Sequence, residues 1–490
     1  MSLRLRGNQI QTAITAFLGK PWMQYVCLFI ITLLAAALRF YKLGEWSFWI
    51  DEIFTINHAV RHFSTLKLLL ENLPPTRNWI PLSVIINAQV LKMGGITEWN
   101  ARLVPAMIGI LSIPILYLPT RKIFGSRIAL IGLMLLAVSP WHVFWSQNAR
   151  FYTSLMLFYT LALFAFYFGI EENKPMYLIV FWVFVYFAAS ERLSALFIFP
   201  VIVVYFALLW ILKFEQPKGM NSRNLLIITL PLFIGGVIEL YSWIVNSESR
   251  FFGDFTWFLQ YQIDDPFRLL VFVSNNFGIP LMVMAVFSGL FLVRNRSRIG
   301  LLMLMSAILP LLMLMLASLF IFTKDRYIFI TLFCWIILAC LGIDEIMSAL
   351  QGNVKWLAAG MFFVLCLYAG NELILYYQAN QGDRLPWKSA FGLVQERANK
   401  EDVVVAFWPE FSPYYLDHDI IGYQDLHLDT MLKSGKRYWF VVDSETISTN
   451  SKMKNWLEHN AALIDVWYLR RPENNSLRVY LFDPLQIADP

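Results

Sequence analysis

From Trp22 to Phe40 the chain reads WMQYVCLFIITLLAAALRF, and shortly afterwards comes Trp49-Ile50-Asp51-Glu52. The first segment is apolar and, as a helix, long enough to cross roughly 30 Å of hydrocarbon. Arg4, Arg6 and Lys20 precede it and are expected to stay in the cytoplasm, so Asp51 and Glu52 emerge on the outer face. The run exceeds the roughly 7 to 15 residues of a signal-peptide core. A retained first span is therefore the reading, although Ala35-Ala36-Ala37 offers small residues for cleavage. Two neighbouring carboxylates at a membrane surface suggest chemistry: one can take a proton from an acceptor, and the other can hold a divalent cation or raise its partner's pKa. The plain alternative is an exposed pair heading an amphipathic helix, where negative charge suits the helix start.

Composition agrees with a membrane setting. Of 490 residues, 58% are hydrophobic and only 15% charged, too much apolar surface for a soluble protein. The formal charge of +5 is small, and the Lys and Arg residues are spread through short links, so nucleic acid is not an expected partner. Cys27, Cys334, Cys340 and Cys366 all lie inside apolar runs and read as packing residues rather than as staples of an external domain.

Apolar runs fall near 22–40, 101–119, 128–146, 152–170, 176–189, 194–212, 224–245, 268–293, 299–321, 327–346 and 355–377, about eleven spans. This count puts the links with Arg121, Lys122 and Arg127, with Lys174, with Lys213, Lys218 and Arg223, with Arg294, Arg296 and Arg298, and with Lys355 all on the cytoplasmic side. It requires that 79–93, short for a span, be a juxtamembrane or re-entrant helix. The stretch from Trp49 to Leu73 places Ile53, Ile56, Val60, Phe63, Leu66 and Leu70 at helical spacing, and Pro74-Pro75 stops it. These two helices are expected to form an external ledge at headgroup height. Residues 378–490 alternate short β-rich runs with polar helical segments and read as a soluble extracytoplasmic α/β domain, after a membrane domain over 1–377 whose first outer loop is 41–100. In it Tyr414-Tyr415-Leu416-Asp417-His418-Asp419 is an aromatic and acidic stretch that could contact an acceptor or be an ordinary loop.

Positive charge also appears on the outer side, in Ser146-Gln147-Asn148-Ala149-Arg150-Phe151-Tyr152, Ser190-Glu191-Arg192 and Thr323-Lys324-Asp325-Arg326-Tyr327. Arginine forks match phosphate oxygens, so an anionic ligand such as a lipid phosphate explains it; snorkelling to headgroups is the alternative. Trp46, Trp49, Trp79 and Trp99 flank the ledge as an interfacial aromatic belt or, less simply, a stacking platform for a sugar.

These segments together resemble the GT-C glycosyltransferases. The likeness is carried by Leu38-Arg39-Phe40-Tyr41-Lys42-Leu43-Gly44, Trp49-Ile50-Asp51-Glu52, Asn100-Ala101-Arg102-Leu103-Val104-Pro105, Arg121-Lys122-Ile123-Phe124-Gly125, Ser139-Pro140, the 146–152 segment and Asp325-Arg326-Tyr327. Within that superfamily the chain is most similar to bacterial relatives of protein O-mannosyltransferases and lipid A aminoarabinose transferases. The resemblance implies an α-helical polytopic membrane protein of about eleven transmembrane helices with external juxtamembrane helices and a C-terminal soluble α/β domain, in a bacterial-type inner membrane with a cytoplasmic N-terminus. It implies inverting transfer of a sugar from a polyprenyl-phosphate donor to a lipid, glycan or protein acceptor, among membrane lipids. Asp51 is then the general base, and Glu52 helps position the acceptor or, with Asp51, a divalent cation such as Mg or Mn. Arg150, Arg326, Arg192, Arg39 and Lys324 are the candidates for the donor phosphate; Asn78, Arg77, Gln147, Tyr152 and Trp79 are those for positioning acceptor or sugar. The chain departs from the family at Arg77-Asn78-Trp79-Ile80-Pro81, where an acid or histidine is common, and this puts metal dependence in question. His58 and His62 stand one turn apart, a spacing that can hold a metal but lacks a third ligand. A flippase or transporter of lipid-linked sugar is the competing reading, for which Glu239 inside an apolar run is the feature in favour.

Overall fold

The computed structural model describes residues 21–61, 81–246, 266–320, 323–349 and 355–484, apart from 418, 424–425, 427–430, 433, 449 and 470–474. Its first helix, α1 (Pro21–Phe40), leads to two short helices, α2 (Ile50–Val60) and α3 (Leu82–Gly94). The long helical segment α4 (Glu98–Val138) follows, continued beyond Ser139 by α5 (Pro140–Ser146). As one straight rod α4 would measure roughly 60 Å, twice a bilayer core. It is not straight: Gly125 has φ +85°, outside helical geometry. Arg102 near its start and Ala149 just past α5 both reach Glu52, so the chain doubles back at Gly125 and supplies two antiparallel spans.

Next come α6 (Tyr152–Glu171), α7 (Pro175–Glu191), α8 (Ile198–Ile211), α9 (Ser222–Asn246), α10 (Pro266–Phe277), α11 (Ile279–Arg294), α12 (Arg298–Ala317), α13 (Leu332–Ala349) and α14 (Lys355–Ile374). With the doubled-back α4 counted once, seven described helices are long and apolar enough to cross a membrane, or eight with the bent pair α10 and α11 as one more, so the fold is that of a multi-pass membrane protein. The expected spans 176–189 and 224–245 fall on shorter apolar helices, and the count of eleven is not reached by this measure. The expected single span over 268–293 is broken instead by a 99° bend between α10 and α11. Gly278 makes the break, with φ +90° and Tyr368 packed so close that an added Cβ would lie 2.7 Å from its ring. Pro280 then starts α11 in its first turn, where the missing N–H costs nothing.

At one end of the bundle the basic links meet. Arg298 pairs with Glu171 at 2.7 Å, Lys174 pairs with Glu172 at 2.7 Å, Lys122 also pairs with Glu172, and Arg296 lies over the Phe214 ring. Links that the charge pattern assigns to one side of the membrane thus do share one end.

At the other end sits a five-stranded sheet of order β2-β1-β3-β5-β4, formed by β1 (Val403–Ala406), β2 (Ile420–Gly422), β3 (Tyr438–Asp443), β4 (Ala462–Tyr468) and β5 (Ser476–Phe482). The β1 strand runs parallel to β2 and β3, and β5 runs antiparallel to β3 and β4. Helix α15 (Trp387–Arg397) covers one face and α16 (Ser451–Asn460) contributes Met453 and Leu457 to the core on the other. One apolar cluster runs from α2 and α3 (Ile53, Ile56, Val84, Ala88) into Trp387, Phe391, Phe411 and Val404. The sheet domain is therefore seated on the ledge, since each large side chain buried there contributes roughly 1.5–3 kcal/mol.

Candidate active site

Asp51 and Glu52 begin α2, and although adjacent they meet different surroundings. Successive helix positions are turned by about 100°, so one faces the protein interior and the other the rim. Glu52 is fully buried. Arg102 donates to both of its oxygens, Nε to Oε1 and Nη2 to Oε2, each at 2.8 Å. The Ala149 N–H donates to Oε1 at 2.8 Å, the Trp49 N–H to Oε2 at 3.3 Å, and Arg384 Nε lies 3.7 Å from Oε2. Burial alone would raise the Glu52 carboxyl, but the charges of Arg102 and Arg384 and the hydrogen bonds from Arg102 and Ala149 outweigh it and hold the group below its ordinary value of 4.5. Arg102 in turn donates to the carbonyls of Leu43, Trp46 and Ser47, so this pair clamps the loop ahead of α2 onto the start of α4.

Asp51 keeps about a fifth of its side chain exposed. Its Oδ2 lies 2.5 Å from Arg326 Nη1 and 3.8 Å from Arg150 Nη2. Arg150 also donates to the Asp51 carbonyl at 2.9 Å and to Thr55 Oγ1 at 2.7 Å, one turn along the same face. Arg326 is placed by a short 3₁₀ segment, Asp325–Thr331, whose Asp325 accepts a 2.5 Å hydrogen bond from Asn276 on α10. Arg192 lies over the Phe151 and Tyr327 rings, at 5.8 and 4.2 Å from their centroids, beside the residues that follow Arg150 and Arg326. Three links distant in sequence thus deliver guanidinium groups to one rim around Asp51. Arg150 Nε, Arg326 Nε and the Tyr152 hydroxyl are buried without a hydrogen-bond partner among the described residues, polar capacity that an anionic ligand's oxygens could take up after a small shift.

Other residues singled out from the sequence serve mainly the packing around the rim. Arg39 is fully buried and donates to the carbonyls of Ala35, Leu136 and Ala137 and to His142 Nδ1 at 2.6 Å, fastening α1 to the break between α4 and α5. Gln147 is also fully buried: its amide donates to the carbonyls of Leu38, Arg39 and Tyr41 and accepts from the Tyr376 hydroxyl at 2.8 Å. Both hold the packing and stand apart from the Asp51 rim. Tyr152 is buried against Trp145, at 4.0 Å between ring centroids. Lys324 adjoins the Asp325–Thr331 segment. Trp46 stacks on Tyr377 and carries Arg384 over its ring, and Trp99 stacks on Phe40, so these two serve packing, whereas Trp49 donates to Asn148 at 2.6 Å and carries Arg326 over its ring at 5.8 Å, at the edge of the Asp51 rim. Arg77, Asn78, Trp79 and His62 lie outside the described residues, as does the ledge helix beyond residue 61.

Arg102 and Arg384 were given no role by sequence reasoning. Arg102 stands in Asn100-Ala101-Arg102-Leu103-Val104-Pro105, and a cation at the start of an apolar run is the signal that could have marked it. Arg384 offered none, because it lies in the connection to the sheet domain and meets Glu52 only in the folded chain. A divalent cation finds a poor donor set here. Glu52 is saturated by cationic and N–H donors, Asp51 faces two guanidinium groups, and no group of three or more His, Cys, Asp or Glu side chains suited to a metal occurs among the described residues.

A family model described as dolichyl-phosphate-mannose-protein mannosyltransferase matches residues 74–234. No curated protein matches the chain. Among solved structures, ArnT from Cupriavidus metallidurans superposes with a TM-score of 0.55 at 15% identity, over 92% of this chain and 97% of that one, both in the apo state and bound to undecaprenyl phosphate. The apo oligosaccharyltransferase of Archaeoglobus fulgidus gives 0.53 at 12% identity, over 83% of this chain and 65% of that one. At such identities the likeness speaks for the fold. The fold is shared with ArnT and the archaeal oligosaccharyltransferase, and the match over residues 74–234 agrees with the resemblance to O-mannosyltransferases.

Proposed function

We propose that this chain is an integral-membrane glycosyltransferase that moves a sugar from a polyprenyl-phosphate carrier to a lipid, glycan or protein acceptor on the extracytoplasmic face of a bacterial-type inner membrane, with inversion. The observation that carries this reading is one partly exposed carboxylate, Asp51, held between Arg326 and Arg150 at the end of the bundle opposite the basic links. An ArnT structure that holds undecaprenyl phosphate supports a lipid-phosphate donor by likeness of fold.

The acceptor oxygen attacks the anomeric carbon while Asp51 takes its proton. The bond from that carbon to the phosphate oxygen breaks, and its electron pair leaves with the polyprenyl phosphate. Negative charge grows on the leaving group, so fixed guanidinium groups favour the transition state over the ground state. In the free protein Arg326 and Arg150 neutralise Asp51. A donor phosphate competes for the same N–H groups and so releases Asp51 to act as base. We infer that these arginines, with Arg192 beside them, supply the electrostatic role a divalent cation would otherwise fill, and that Glu52 positions the base through the backbone rather than touching substrate.

The test is release of polyprenyl phosphate from a panel of radiolabelled polyprenyl-phosphate sugars, with membrane extract as acceptor source, comparing wild type with Asp51→Asn. Release that is lost in the variant supports the proposal. No release from any donor by protein that still binds the lipid would overturn it in favour of lipid-linked-sugar transport.

A further inference from the structure

A cavity of about 380 Å³ opens between the ledge and the sheet domain. Its lining combines three aromatic rings, Phe48, Tyr414 and Tyr415, with the Asn57 carboxamide and the Glu98 and Lys388 charges. The polar groups form a fixed frame: Tyr414 donates to Asn57 Oδ1 at 2.7 Å, Tyr415 donates to Glu98 at 3.1 Å, and Lys388 Nζ lies 3.6 Å from Glu98. Phe48 meets Tyr414 edge to face at 5.6 Å. The Lys388 side chain is more than half exposed and Glu98 about one-eighth, so the ammonium faces the opening and the carboxylate the wall.

We propose that this cavity is a subsite for the saccharide headgroup of the acceptor. Aromatic faces take the apolar C–H side of a sugar ring, while a carboxylate, an ammonium and an amide supply acceptors and donors for its hydroxyls. The size suits a ligand of one or two rings, at the small end of ligand sites. Its placement fits the chemistry as well. Asn57 follows Asp51 by six residues, roughly 9 Å along the α2 axis and about 120° around it. Phe54 projects between those two faces, half-exposed and 5.9 Å from the Trp408 ring, and makes an apolar step from cavity to base. A headgroup of two or more rings anchored in the cavity spans that distance to place a hydroxyl at Asp51. This assignment rests on the glycosyl-transfer reading, and it selects a glycan-bearing acceptor over a peptide.

The test uses binding alone, so that it succeeds or fails independently of turnover. Full-length protein in nanodiscs is titrated with methyl β-glucoside, chitobiose and a serine- and threonine-rich octapeptide, and saturation-transfer NMR reads the contact. The proposal expects saturation of the disaccharide ring protons, persisting in Asp51→Asn and weakened about tenfold by Lys388→Met, the loss of one charge-assisted hydrogen bond. Tyr414→Ala should weaken it similarly by removing the stacking face. Because Lys388 is exposed, its variant keeps the test valid if Tyr414→Ala disturbs domain seating. Glycoside binding unaffected by both variants, no glycoside binding by the wild type, or binding of the peptide in preference to both glycosides would each overturn the assignment.

Discussion

Glu52→Gln keeps the shape of a buried side chain and removes only its charge. No cavity opens, but the new amide turns an NH₂ toward groups that are themselves donors: two arms of Arg102, the Ala149 N–H and the Trp49 N–H. Removing one partner of a buried ion pair costs roughly 3–5 kcal/mol, because the other charge is left without compensation. Arg102 keeps three carbonyl acceptors, from Leu43, Trp46 and Ser47, which places the expected loss near the lower end, roughly 3 kcal/mol. Arg102→Gln should cost a similar amount. The double variant should lose much less than the sum, with a coupling free energy of roughly 2–3 kcal/mol in a double-mutant cycle. Equilibrium unfolding in mixed detergent micelles, followed by tryptophan fluorescence, provides the four free energies. A single variant within about 0.5 kcal/mol of wild type, or strictly additive singles, would refute the account of Glu52 as the clamp between α2 and α4.

The same carboxylate gives a pH signature. Its value is held below 4.5 in the folded chain, so its contribution is present above the unfolded value and is lost as pH falls through the lowered one. Wild type should therefore lose stability on acidification below about pH 4.5 more steeply than Glu52→Gln, as read by melting temperature against pH. Arg150→Ala and Arg326→Ala should each reduce kcat/KM for the donor by roughly ten- to a hundredfold, with little recovery from lysine, which lacks the planar fork. Exhaustive chelation followed by dialysis should leave turnover unchanged, since the site offers arginines where a cation would need acids; a turnover restored only by added Mg or Mn would contradict this.

Most apolar runs, and the grouping of the basic links at one end of the bundle, were legible in the sequence, because hydropathy and charge act locally on each helix. It did not show the bend at Gly278: the flanking residues are apolar, so composition reads one span, and only the positive φ and the approach of Tyr368 reveal two helices. Asp51, Arg150 and Arg326 were legible as charges on outer links. Their meeting was not, since the partners are separated by 99 and 275 residues. Arg39 and Gln147 carry the same polar signature as surface groups, yet they satisfy backbone carbonyls at the ends of α1 and α4. A buried hydrogen-bonding side chain and an exposed one look alike until the neighbouring helices are in place. Arg384 was hidden for the same reason, and it ties the sheet domain to the site by donating to the Gln147 carbonyl at 2.6 Å and lying beside Glu52.

The most direct test of the central claim measures turnover and lipid binding on one preparation of Asp51→Asn. General-base removal should lower kcat by roughly 10²–10⁴-fold. Affinity for undecaprenyl phosphate should stay equal to wild type or increase, because Arg326 and Arg150 lose their competing carboxylate. Turnover close to that of wild type, or lipid binding lost along with turnover, would contradict Asp51 as the base between two phosphate-binding arginines.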